Sequence, residues 1–192
     1  MFKISIRKRL LLATLFIAGA GLIGAACGTD DGAGSSGIQP ISDISQTLTI
    51  DDLTAFGFKK SKTYDLEGLT GADAAYFGFW GLDPYDRKDY EVRFYPSHAD
   101  AVNIGTVLAD ERLVPEKLKK DASSWPQGLK DARLCSGDEA SGPASHGIQA
   151  CTKAKYKAYF IYGNMILLCS GGDESQAEER CRKLLGQFTN PA

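Results

Sequence analysis

Tyr156-Lys-Ala-Tyr-Phe-Ile-Tyr162, then Gly163-Asn164, then Met165-Ile-Leu-Leu-Cys169 is the stretch on which the fold turns. The first run is aromatic and apolar and stops at turn residues, the signature of a strand. Gly163-Asn164 fits a two-residue type II′ hairpin turn, whose first position needs a positive φ. Met165 to Cys169 is a second strand, apolar throughout. Ser170-Gly-Gly-Asp173 then turns the chain into a helix, with Asp173 placed to cap it. Ala177, Cys181, Leu184, Leu185 and Phe188 form a single apolar stripe on that helix. Gly186 and Pro191 mark its end.

The preceding half repeats this order of elements. Ala74 to Trp80 is apolar, aromatic and glycine-bounded, a second strand signal. A loop follows from Gly81 to Asp89. Tyr90-Glu-Val-Arg-Phe-Tyr95 alternates, which turns Tyr90, Val92 and Phe94 inward and Glu91 and Arg93 outward. Pro96 stops the strand. Ser97 and Asp100 form an N-terminal capping pair, and Ala101, Ile104, Gly105 and Leu108 mark the inner face of a helix reaching Leu113. Gly105 inside that helix costs up to about 1 kcal/mol relative to Ala, which close packing against a neighbour would offset. Ala75-Tyr-Phe77 and Ala158-Tyr-Phe160 echo each other in the two halves. Upstream, Thr49 with Asp52 caps a short helix through Ile50, Leu53 and Phe56, ended by Gly57. Phe58 to Tyr64 reads as one more strand. Pro115 to Lys155 is polar and without periodicity, and Trp125 within it packs on the domain edge. The expected fold is therefore α+β: an antiparallel sheet built from two hairpin–helix units, with the helices on one face.

The N-terminus carries a different signal. Lys3, Arg7, Lys8 and Arg9 form a basic start, Leu10 to Ile23 is uncharged and mostly apolar, and Gly24-Ala-Ala26 is followed at once by Cys27. This order is that of a secretory signal. It resembles a bacterial lipoprotein signal peptide with its lipobox. The resemblance implies cleavage before Cys27, acylation of its thiol and an extracytoplasmic domain lipid-anchored to a cell membrane. An uncleaved N-terminal anchor is the competing reading, since Leu10 to Ala26 reaches the lower end of the roughly 17–25 residues of a spanning helix. The expected organisation is a signal peptide over 1–26, a flexible Gly- and Ser-rich tether over 27–47 and a single globular domain over 48–192.

Loss of residues 1–26 leaves 18 Lys and Arg of the original 22 against 24 Asp and Glu, a net charge of −6. An acidic surface disfavours nucleic acid as a partner. With Cys27 acylated, Cys135, Cys151, Cys169 and Cys181 remain. Four thiols in an exported protein imply two disulfides, with three connectivities open. Sequence-local pairing, Cys135–Cys151 and Cys169–Cys181, is the favoured one. Cys135–Cys151 would staple a loop rich in Gly, Ser and Ala, worth on the order of 3 kcal/mol in the chain-entropy model.

No motif carries catalysis. No Gly-x-Ser-x-Gly elbow is present, and neither His98 nor His146 stands in a recognisable catalytic pattern. Asp83, Asp86 and Asp89 recur every three residues and are weak candidates for a cation site, because the spacing is not that of a calcium loop. Aromatic residues crowd Tyr76 to Tyr95. Phe79, Trp80, Tyr85 and Tyr95 are the candidates for an exposed binding surface. The expected function is a membrane-tethered, non-catalytic ligand- or partner-binding domain without a cofactor. An envelope protein or small ligand would be bound through the sheet and the Pro115 to Lys155 excursion. The alternatives are an envelope enzyme whose site assembles only in the fold, and a small solute-binding lipoprotein.

Overall fold

The computed structural model describes residues 37–118, 125 and 153–189. Its elements are β1 (Ile41–Ser42), α1 (Ile50–Ala55), β2 (Lys59–Thr63), β3 (Ala74–Trp80), β4 (Lys88–Phe94), α2 (His98–Asp100), a π-helical stretch (Ala101–Gly105) and α3 (Thr106–Leu113). A 3-10 turn (Pro115–Leu118), β5 (Tyr156–Tyr162), β6 (Met165–Ser170) and α4 (Glu174–Thr189) complete them. The strands form one six-stranded sheet in the order β1-β5-β6-β4-β3-β2. The fold is α+β. The sheet is mixed rather than antiparallel throughout as expected from the sequence, because β1 joins β5 in parallel while every other pairing is antiparallel.

Two further sequence expectations give way. The helices do not share a face. Along β6, Met165, Leu167 and Cys169 pack with Ala177, Cys181, Leu184 and Leu185 of α4 and Leu53 of α1. Ile166 and Leu168, on the opposite face, pack with Ala101 and Ala109 of the 98–113 helix. A central strand with helices on both sides must be apolar at every position, which is why β6 does not alternate. The second correction concerns the tether. Residues 38–47, read as part of it, are docked. Pro40 O accepts from Ile161 N at 2.7 Å, Ser42 O accepts from Gly163 N at 2.9 Å, and Ile38 and Leu48 are buried in the main core. The part of it that was read as tether, residues 38–47, pairs backbone-to-backbone along a sheet edge, so no side-chain periodicity announces it.

Capping chemistry sets the helix ends. Asp52 Oδ2 accepts from Thr49 N at 2.7 Å and from Thr49 Oγ1 at 2.9 Å. After α1, Gly57 N donates to Thr54 O and Phe58 N to Leu53 O, the paired bonds of a Schellman stop. Ser97 Oγ accepts from Asp100 N at 3.1 Å. The 98–113 helix is one continuous rod with a π-helical stretch inside it, which its sequence does not announce. Gly105 ends that stretch against the sheet. A Cβ there would lie 2.5 Å from Ile166 Cδ1 and 2.6 Å from Tyr95 Cζ. Close approach is therefore what the glycine provides.

Cys169 and Cys181 are joined, with their Cα atoms 5.8 Å apart. Cys181 lies in the α4 stripe directly over β6, so the strand-to-helix link fits the layer spacing. Cys27, Cys135 and Cys151 lie outside the described residues, as does His146.

Candidate functional site

The alternation of β4 predicts Glu91 and Arg93 in solvent. Both are fully buried instead, beneath the second helical layer. Glu91 Oε1 accepts from Arg93 Nε at 2.8 Å, and its Oε2 accepts from Arg112 Nε of α3 at 3.1 Å. The Arg93 and Arg112 guanidiniums lie 5.1 and 5.5 Å from the centre of the Trp125 ring. Trp125 is itself buried and donates its indole N–H to Asp65 O at 3.2 Å. Burial pushes the Glu91 carboxyl up, but the charges of Arg112 and Arg93 outweigh it and hold the group below its ordinary value. Burial drives the neighbouring Tyr156 phenol well above its ordinary value. Glu91, Arg93 and Arg112 are sealed from solvent, so they hold α3 to the sheet rather than meet a solute. Alternation alone could not separate this cluster from a solvated face. The missing signal was Arg112, 21 residues on in the next element.

The aromatic candidates separate by depth. Trp80 is buried and donates its indole N–H to Phe56 O at 3.0 Å. Tyr95 is buried against Gly105. Neither is an exposed aromatic, because each packs against a helical layer whose position was not legible in the strand. Phe79 is half-buried and meets Phe77 edge-on, ring centres 4.9 Å apart. Tyr85 is fully exposed, and Leu82 beside it is 77% exposed.

Leu82 and Tyr85 sit on a loop that its own backbone holds in place. Asp83 Oδ1 accepts from Tyr85 N at 2.8 Å, and Asp83 O accepts from Asp86 N at 3.1 Å. Asp86 pairs with Lys88 at the start of β4. This pairing, chiefly its hydrogen bond and then its charge, keeps the exposed Asp86 carboxyl below its ordinary value. Asp89 pairs instead with Lys155. The three aspartates therefore serve a turn and two ion pairs. Among the described residues no group of three or more His, Cys, Asp or Glu is placed to hold a metal ion.

Between this loop and the first half of α4 lies a cleft of about 470 Å³. Trp80, Leu82 and Tyr90 give it apolar wall. The Tyr90 hydroxyl reaches Arg180 O at 3.4 Å, and burial raises its pKa far above the ordinary phenol value. Lys88, Arg180 and Lys183 bring positive charge, and Asp83, Asp86 and Glu179 negative charge. Lys183 pairs with Glu179 at 2.7 Å. Arg180 Nη1 donates to Ser170 O at 2.7 Å, which fixes its guanidinium at the end of β6. Among the described residues the lining contains no His, Cys, Ser or Thr, and what these residues offer a solute is charge, hydrogen bonds and apolar contact.

The order of residues along the chain explains why this cleft was not legible. Its two walls come from residues 80–90 and 176–183, which meet because β4 pairs with β6 and α4 folds back over the sheet. Only the loop half was marked by its aromatics. No curated protein and no solved structure matches the chain. A family model described as a family of unknown function, DUF6810, matches residues 49–190, and the chain belongs to that family.

Proposed function

We propose that this protein is a membrane-tethered extracytoplasmic lipoprotein whose domain is a non-catalytic binding module, with the cleft between the β3–β4 loop and α4 as its site. The observation that carries the binding reading is Tyr85, fully exposed at the apex of a loop held by the Asp83 turn. A solvent-facing aromatic on a pre-ordered loop binds with little entropy left to lose, since two torsions position a large contact area. The cleft beside it lies within the roughly 300–1,000 Å³ range of small-molecule sites. Both faces of the sheet carry helices, so the binding surface moves from the sheet to this end of it. The same reading keeps the two hairpin–helix segments as the building units, on chain order alone.

The tethering half of the reading rests on the basic–apolar–small–Cys order at residues 1–27 and on the Cys169–Cys181 link, which suits an oxidising compartment. Among the described residues no helix is long and apolar enough to cross a membrane. With docking from Ile38 onward, the tether expected from the sequence shortens to the ten residues 28–37, and a flexible chain of that length has a mean reach of about 17 Å. The domain would then work close to the membrane surface.

Two experiments test the two halves. Radiolabelled fatty acid should enter the wild type and not Cys27→Ser, and equal labelling of both would end the lipoprotein reading. Recovery of envelope neighbours with the tethered protein should fall in Tyr85→Ala while thermal stability stays unchanged. Unchanged recovery with unchanged stability would remove the loop from the functional account.

A further inference from the structure

We infer that the cleft recognises a small zwitterion bearing a carboxylate, an ammonium and an apolar body, the chemistry shared by apolar amino acids and short peptides. The inference rests on the cleft being the binding site. Most of the charges lining the cleft are already paired with one another. Lys88 is engaged by Asp86 and Lys183 by Glu179. Two charged groups remain without an ion-pair partner among the described residues, the Arg180 guanidinium and the Asp83 carboxylate.

Each is pre-positioned by a contact that leaves it charged and available. Arg180 is held through Nη1 to Ser170 O, so its fork does not swing freely and its other N–H groups remain to be used. A guanidinium held in one plane is suited to a carboxylate, which it meets with two parallel hydrogen bonds. Asp83 is held through Oδ1 to Tyr85 N, leaving Oδ2 as an acceptor on the opposite, loop side of the cleft. That oxygen suits an ammonium. The lining charges balance, three cations against three carboxylates, so a zwitterion leaves no charge uncompensated, as a dianion or dication would. Leu82, largely exposed, and the accessible edge of Trp80 supply the apolar wall, which gives a hydrocarbon or aromatic body a reason to stay.

The test is calorimetric titration of the full chain with L-leucine, L-phenylalanine and the dipeptide Leu-Leu. Each is set beside its N-acetyl form, which lacks the ammonium, and its C-terminal amide, which lacks the carboxylate. Both blocked forms should bind at least about tenfold more weakly than the free zwitterion, the scale of a lost charge-assisted bond. The free amino acid and dipeptide arms identify which source fits. Arg180→Gln should abolish the preference for acid over amide and leave the preference for free over acetylated amine. Asp83→Asn should do the reverse while keeping its bond to Tyr85 N. Arg180→Lys, which can still reach Ser170 O, controls for folding and should lose most of the carboxylate preference. Blocked forms binding as tightly as free ones would overturn the inference, and so would preferences unmoved by both substitutions. Absence of heat with every probe, with Tyr85→Ala still losing envelope neighbours, would overturn the zwitterion and leave the loop standing as a partner-binding surface. Absence of heat with no effect of Tyr85→Ala would sink both.

Discussion

Leu48 and Asn164 lie 116 residues apart and exchange two hydrogen bonds in the core. Leu48 N donates to Asn164 Oδ1 at 2.7 Å, and Asn164 Nδ2 donates to Leu48 O at 3.2 Å. The same amide nitrogen donates to Tyr95 O at 2.9 Å, so one turn residue ties the docked N-terminal segment, the end of β4 and the β5–β6 hairpin together. Asn164→Ala would leave three buried backbone groups without partners. The expected loss is on the order of 3 kcal/mol by chemical denaturation. A loss below about 1 kcal/mol would mean that water or local rearrangement replaces the amide.

Acid should weaken the fold through Glu91. Its carboxyl is driven upward by burial but held below its ordinary 4.5 by Arg112 and Arg93. A folded pKa below the unfolded one means that the unfolded chain binds more protons. This contribution is therefore whole above pH 4.5 and is lost as pH falls through the lower folded value. Melting temperatures measured from pH 7 down to pH 2 should drop below 4.5. Glu91→Gln should cost about 3–5 kcal/mol at neutral pH, because two buried guanidiniums lose their carboxylate. It should also flatten the acid limb. Parallel limbs in the two proteins would assign the acid loss to other carboxyls.

Gly105→Ala sets two effects against each other. Helix preference favours Ala by up to about 1 kcal/mol. The added methyl would meet Ile166 Cδ1 and the Tyr95 ring at 2.5 and 2.6 Å. Overpacking of that kind costs about 1–3 kcal/mol. Net destabilisation is expected in urea denaturation, and a stabilised variant would show that α3 can lift from the sheet without cost.

Trp80→Ala and Tyr85→Ala should behave oppositely although five residues separate them. Trp80 is buried and hydrogen-bonded to Phe56 O, and its truncation should cost about 3–5 kcal/mol. Tyr85 is fully exposed, and its truncation should stay within about 0.5 kcal/mol of wild type. Equal losses at both positions would show that the loop packs on a surface in solution.

The Cys169–Cys181 link should appear as a single cross-linked peptide pair in a non-reducing digest. Replacing both by Ala should cost about 3 kcal/mol, the chain-entropy value for a loop of this length. Free thiols at both positions would refute the link.

Local chemistry was legible along the chain. The caps at Thr49 and Ser97, the Gly163-Asn164 turn, the strands around it and the α4 stripe each follow from side chains within a few residues of one another. What tertiary structure decided is which face each element buries. Glu91 and Arg93 alternate with Tyr90, Val92 and Phe94 as they would on a solvated strand. Only the helix carrying Arg112 makes them interior, because a carboxylate between two guanidiniums can be buried where a lone charge cannot. The segment from Ile38 up to Leu48 reads as tether because edge pairing, closed by the Asn164 amide at Leu48, holds its backbone and leaves no pattern in its side chains. The cleft is the extreme case. Its loop and its helix are about ninety residues apart, and their charges acquire a common meaning only where β4 and β6 bring them to one end of the sheet.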